Sequence, residues 1–277
     1  MSLFHSILLG IIQGVTEFLP ISSSGHLAIA EHLLGMEGAG EIPAFFDVLL
    51  HLGTLVAVFA AYWPEIREIV LEFFRGVGDL ARRTTPERVP PARRMILLII
   101  LGTLPLFLIL PVKDRIEALS ENMIFIGCAL LFTGALLFLC DRAPKGRKTE
   151  KTARLTDALL VGAAQAIATC PGVSRSGMTI TAGCFAGFER SFAVRFSFLL
   201  SIPAILGANI LALKDALELG VVWKDVPVYL AGVAAAAAVG YACIRLLRYV
   251  ARKGRFGWFA YYCWTVGALV LILTAFR

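Results

Sequence analysis

Glu17, Ser23 and His26 fall within one ten-residue stretch and supply a carboxylate, a hydroxyl and an imidazole. These are the groups needed for nucleophilic attack with acid/base assistance. They belong to the run Gln-Gly-Val-Thr-Glu-Phe-Leu-Pro-Ile-Ser-Ser-Ser-Gly-His, from Gln13 to His26, with Leu8, Leu9, Ile11 and Ile12 before it and Leu27, Ala28 and Ile29 after it. Gln13 and Glu17 are four apart and share a face if the segment is helical. Pro20 breaks that helix, and Ser22 is a good N-cap for a second one whose first turn holds Ser23, Ser24, Gly25 and His26. A helix N-terminus with free N–H groups, hydroxyls and a small residue is an anion site, most naturally for phosphate. In a soluble protein the same run reads as a capped Ser/Gly linker. Within an apolar chain it marks a functional cavity, because lipid offers no water to satisfy such a loop.

The rest of the chain must hold this loop in a membrane. The 277 residues are 58% hydrophobic, with a mean hydropathy of +0.79. Spans need about 17 to 25 apolar residues, and six windows qualify: 45–63, 95–112, 122–140, 192–213, 226–247 and 257–276. The first apolar run has no basic residue before it and leads into Gln13 and Glu17, so it does not resemble a cleaved signal peptide. Residues 3–19 and 23–34 read instead as two short helices forming a re-entrant hairpin. The six cysteines have no C-x-x-C spacing and read as small buried hydrophobes. The net charge of +6 sits in loops between spans, which argues for positive-inside topology and against a nucleic-acid partner.

In chain order, a turn at 35–41 leads to the first span, near whose start Asp47 and His51 sit four apart, either at the membrane interface or at a cavity rim. Residues 64–94 carry seven Arg against five acids and are expected to be cytoplasmic. Their first part, 65–80, has the spacing of an amphipathic surface helix, ended by Pro86, Pro90 and Pro91. Lys113 and Arg115 are the basic residues of the next connection, which is expected to be external. Residues 141–154, with six basic residues, return the chain to the cytoplasm.

The second half repeats the first. An offset of 152 places Gly10 on Gly162, Gln13 on Gln165, Ser22 on Ser174, Ser24 on Ser176 and Gly25 on Gly177. Each half, about 1–140 and 155–277, reads as a hairpin plus three spans. Three is odd, so the halves enter from opposite sides. The expectation is one all-α polytopic membrane domain over 1–277, an inverted-topology repeat of six transmembrane helices and two re-entrant hairpins, its site where the broken helices meet. The first hairpin, and so the cavity, is expected to open to the external face.

The second loop, Pro-Gly-Val-Ser-Arg-Ser-Gly from Pro171 to Gly177, adds Arg175, whose guanidinium fork matches a phosphate bidentately. Phosphate would then rest on Ser22, Ser24, Gly25, Ser174, Ser176 and Gly177, with Gln13 beside it. Ser23 is placed to attack phosphorus and His26 to move the proton. Glu17 would either orient His26 or hold a divalent cation, and Arg175 could alternatively pair with Glu17. A lipid-phosphate flippase or transporter explains the repeat and Arg175 equally well, but gains nothing from a nucleophile beside a base.

The two motifs, with Phe-Ser-Phe-Leu-Leu-Ser-Ile-Pro at 196–203, closely resemble those of the BacA-type undecaprenyl pyrophosphate phosphatases, over the whole chain. The resemblance implies hydrolysis of a C55 polyprenyl pyrophosphate to the monophosphate, recycling the carrier lipid for cell-wall synthesis in a bacterial inner membrane. It also implies bacitracin resistance and dependence on Mg2+ or Ca2+. By the same resemblance the glutamate motif falls on Gln13 and Glu17, the nucleophile on Ser23, the histidine on His26 and the arginine on Arg175. Family members often carry Glu where this chain has Gln13, which leaves Glu17 as the acid. Small residues at 231–240 suggest close helix packing and a homodimer through that span.

Overall fold

The computed structural model describes residues 1–35, 43–83 and 89–276, with the side chain of Leu219 outside the description. The remainder of the expected 35–41 turn, together with Pro86 and Arg88 of the basic loop, lies outside the described residues. The described chain is helical, with the isolated bridge between Lys148 and Phe188 as its extended pairing. Six helical stretches are long and apolar enough to cross a membrane: Ala44–Ala81, Pro91–Glu121, Met123–Arg142, Arg190–Glu218, Trp223–Lys253 and Gly257–Ala275. All six overlap the windows read from the sequence.

Two pairs of short helices carry the polar motifs. Helix α1 (Leu3–Phe18) stops where Leu19, forced toward extended geometry by Pro20, takes φ −68° and ψ 143°. Helix α2 (Ser23–Leu33) starts at Ser22, a non-glycine residue at φ 75° whose Oγ accepts the Gly25 N–H at 3.3 Å. Such a backbone costs about 1–3 kcal/mol and persists where its surroundings hold it. In the second half, α7 (Leu155–Ile167) and α8 (Arg175–Phe185) flank the Pro171-Gly172 break, and Ser174 Oγ accepts the Gly177 N–H at 3.1 Å.

Around these pack α3 (Ala44–Ala81), α4 (Pro91–Thr103), α5 (Lys113–Glu117), α6 (Met123–Arg142), α9 (Arg190–Leu219), α10 (Val226–Lys253) and α11 (Gly257–Ala275). The first expected span and the helix expected over 65–80 follow one another in α3 and meet at a kink, where Tyr62 leaves helical geometry (φ −123°, ψ 22°) just before Pro64. Arg248 Nη2 donates to the Ala61 carbonyl beside the kink at 2.7 Å. The second expected span is α-helical only to Thr103. Beyond it, Pro105 and Pro111 lie in 3-10 turns, Leu104–Leu108 and Leu110–Val112.

Glycines set the closest approaches. A Cβ on Gly10 would come within 2.2 Å of the Gly232 carbonyl oxygen on α10, and one on Gly162 within 2.4 Å of the Gly102 carbonyl oxygen on α4. Gly14 likewise meets Ala236 and Gly240. The inward edge of the 231–240 stripe is therefore occupied by α1 of the same chain. Gly10→Ala is expected to lose about 1–3 kcal/mol through overpacking. Gly78→Ala, with nothing within 4 Å of the added carbon, is expected to be neutral or stabilising. Thermal unfolding of the detergent-solubilised chain reads both, and equal melting shifts would contradict the packing.

Candidate active site

The two helix breaks touch. Ser24 Oγ accepts the Gly172 N–H across the halves at 3.2 Å, Ser176 Oγ lies 3.4 Å from the Leu19 carbonyl, and a Cβ on Gly25 would come within 3.0 Å of the Gly172 Cα. Ser174 N–H donates to Thr133 Oγ1 at 3.2 Å, tying the second break to α6. These bonds aim the starts of α2 and α8 at one point.

Glu17 lies at that point, at the buried end of α1. Its Oε2 accepts the Ser23 hydroxyl at 2.6 Å and the Gln13 Nε2 at 3.3 Å, and its Oε1 accepts Arg175 Nη2. Arg175 Nη1 reaches the Ser201 carbonyl at 3.5 Å. A carboxylate, a hydroxyl bonded to it and a guanidinium thus meet from positions 158 residues apart. Arg175 does pair with Glu17, the alternative left open by the sequence. Arg175 also lines the adjoining cavity.

That cavity has a volume of about 620 Å³ and is lined by Glu17, Ser22, Ser23, Ser24, Ser174 and Arg175 at its polar end. Its walls are apolar, with Leu106, Phe107, Ile109 and Leu110 on one side and Ile205, Ile210 and Leu211 on the other. Asp47 and His51 also line it, which places them on the cavity wall; the His51 ring Nδ1 lies 3.0 Å from the Asp47 carbonyl. Gln13, Gly25, Ser176 and Gly177 pack behind this surface.

His26 is placed otherwise than expected. Its Nδ1 lies 2.7 Å from the Ser22 carbonyl and its Nε2 2.9 Å from the Tyr262 hydroxyl, with the two rings stacked at 5.6 Å. A carbonyl on Nδ1 requires a proton there, so in the neutral ring Nε2 accepts from Tyr262. Both nitrogens are thereby engaged away from Ser23, and His26 does not line the cavity. The group that bonds Ser23 is Glu17, and Glu17 does not orient His26.

Sequence reasoning passed over two amides. Gln165 and Asn209 line the cavity, and Gln165 Oε1 and Asn209 Nδ2 are buried without hydrogen-bond partners. Gln165 was visible as the repeat mate of Gln13, and Asn209 as an amide inside an apolar span, which is a functional signal by default.

A divalent cation held by Glu17 does not fit these residues. Both carboxylate oxygens already face donors, one of them a cation, and the described residues contain no group of three His, Cys, Asp or Glu able to hold a metal ion.

Comparison with known proteins bears on the same residues. A sequence profile described as "Bacitracin resistance protein BacA" matches residues 6–269, nearly the whole chain. The chain belongs to the BacA family. Curated relatives support this: a protein of Alkaliphilus metalliredigens named undecaprenyl-diphosphatase is 42% identical over 275 residues, covering 99% of both chains. Proteins of the same name from Methanosphaera stadtmanae (39% identical, 99% of both chains) and Halothermothrix orenii (41%, covering 99% of this chain and 98% of the relative) match equally broadly. The BacA profile begins within α1 and ends within α11, so it spans both helix breaks.

Proposed function

We propose that this BacA-family protein hydrolyses undecaprenyl pyrophosphate to undecaprenyl phosphate and inorganic phosphate at the meeting point of α1, α2 and α8. The observation that carries this reading is the hydrogen bond from Ser23 to Glu17 beside Arg175, at the polar end of an otherwise apolar cavity. Membership of a family whose relatives are named undecaprenyl-diphosphatase supports the substrate.

The diphosphate rests against the N–H groups and hydroxyls at the starts of α2 and α8, and the prenyl chain lies along the apolar wall. It gains about 0.8 kcal/mol per CH2 kept from water. Ser23 Oγ gives its proton to Glu17 and attacks the terminal phosphorus. The Oγ–P bond forms as the bond to the bridging oxygen breaks, and that oxygen leaves with the electron pair on the lipid monophosphate. Arg175 stabilises the charge that builds on the phosphoryl oxygens. Glu17 passes its proton to the departing phosphate, takes one from the water that cleaves the phosphoserine, and returns it to Ser23. A divalent cation, Mg2+ or Ca2+, would accompany the diphosphate as part of the substrate and offset its charge. Purified protein given undecaprenyl pyrophosphate should release phosphate and leave the monophosphate; no release would refute the reading.

His26 serves as a positioning residue that ties α2 to α11 through Tyr262. His26→Ala and Tyr262→Phe are expected to slow phosphate release by less than about tenfold, the scale of one hydrogen bond. A His26→Ala loss as deep as that of Ser23→Ala would return the imidazole to the reacting centre.

We further infer an inverted repeat with two re-entrant hairpins. The mirrored packing of Gly10 on Gly232 and Gly162 on Gly102 supports it, as does the odd number of spans per half. The protein then lies in the plasma (inner) membrane with its cavity open to the external face, where recycling the carrier lipid would underlie bacitracin resistance. In a chain without native cysteines, Ser120→Cys should react with an impermeant thiol reagent from outside and Thr152→Cys should not. Labelling of both from one side would contradict this topology.

A further inference from the structure

A second cavity lies at the other end of the same helices. Where the first meets α3 at Asp47 and His51 and α9 beyond Pro203, the second meets α3 at Tyr62 and Glu65 and α9 at its first turn. Along α9 the eight residues from Arg195 to Pro203 separate them by about 12 Å at 1.5 Å per residue. The second cavity holds about 330 Å³ and is lined by Arg195, Arg248 and Arg252 together with the hydroxyl residue Thr149.

Three features make it a binding site rather than a surface dent. Tyr62 is 1% exposed and lines the cavity, yet its hydroxyl has no hydrogen-bond partner. Arg248 lies 3.8 Å over the Tyr62 ring and is fixed by its bond to the Ala61 carbonyl, which holds its remaining N–H donors in place. The start of α9 faces the cavity through Ser191 and Phe192, and the N-cap residue Glu189 makes no side-chain cap bond, so first-turn N–H groups remain for an anion.

The charges are mixed. Glu65 and Glu189 share the lining with the three arginines, Glu189 accepts the Ser191 hydroxyl at 2.6 Å, and Arg195 pairs with Glu150. A bare anion would be repelled by the two carboxylates, whereas a phosphate with an ammonium beside it satisfies both signs. Trp63 and Tyr249, neighbours in sequence of Tyr62 and Arg248, are each 57% exposed, as suits aromatic residues at the level of lipid headgroups. Basic pockets between membrane helices commonly bind lipid headgroups. We propose that this cavity binds the headgroup of a zwitterionic phospholipid, its phosphate on Arg248, Arg252 and the start of α9 and its ammonium on Glu65 and Glu189.

Native mass spectrometry of the detergent-solubilised full chain tests this, with phosphatidylethanolamine, phosphatidylglycerol and diacylglycerol as probes and inorganic phosphate as competitor. Phosphatidylethanolamine should be retained best and diacylglycerol least. Arg252→Gln should weaken retention about tenfold, the scale of a charged hydrogen bond, and Tyr62→Phe about threefold. Phosphatase activity of Arg252→Gln should be unchanged. Equal retention of phosphatidylethanolamine and diacylglycerol, or retention unaffected by both substitutions, would overturn the site. Displacement of the lipid by inorganic phosphate with the same variant dependence would overturn the lipid assignment in favour of free phosphate.

Discussion

Glu17→Gln is expected to lower the rate of phosphate release by about 10² to 10⁴, the usual cost of losing a general base. The reason is local. Oε2 of Glu17 is the acceptor of the Ser23 hydroxyl proton at 2.6 Å, and an amide in its place keeps the shape of the side chain but cannot take that proton. The substitution also removes the partner of Arg175, and unpairing a buried ion pair destabilises by about 3–5 kcal/mol, so thermal unfolding must accompany the rate. A folded Glu17→Gln chain that releases phosphate at the wild-type rate would end the role of Glu17 as base. Raising the cation concentration should not rescue it, because both carboxylate oxygens serve hydrogen bonds.

Arg175→Lys should cost about 10² to 10³ in turnover, the range seen when one donor to a developing oxyanion is removed. The guanidinium reaches Glu17 and the Ser201 carbonyl, and Arg175 lines the cavity. An ammonium keeps the charge but cannot span these partners in one plane. The loss should appear in kcat more than in KM, since the helix starts still bind the ground-state phosphates. A variant with unchanged kcat and a raised KM would make Arg175 a binder and no more.

Much of this site was legible because polar residues in an apolar chain stand out: the Gln13–His26 and Pro171–Gly177 runs contain the three side chains that hydrogen-bond Glu17, namely Gln13, Ser23 and Arg175. What escaped was set by distance along the chain. Tyr262 lies 236 residues from His26, and no local spacing announces that its hydroxyl takes the imidazole away from Ser23. Of the fold, the six apolar windows marked the spans by composition alone, and Pro64 marked the kink of α3, where Tyr62 leaves helical geometry. Pro105 and Pro111 were underread: both lie in 3-10 segments that run along the cavity wall.

The account stands most directly on Glu17 and Ser23 acting as one unit. Phosphate release by Ser23→Ala, Glu17→Gln and the double variant, each verified as folded, measures this. Groups that act through one proton transfer lose their effect together, so the double variant should be no slower than the worse single one. Losses that multiply in the double variant, or a Ser23→Ala chain that releases phosphate near the wild-type rate, would contradict it and put a water activated elsewhere in the place of the serine.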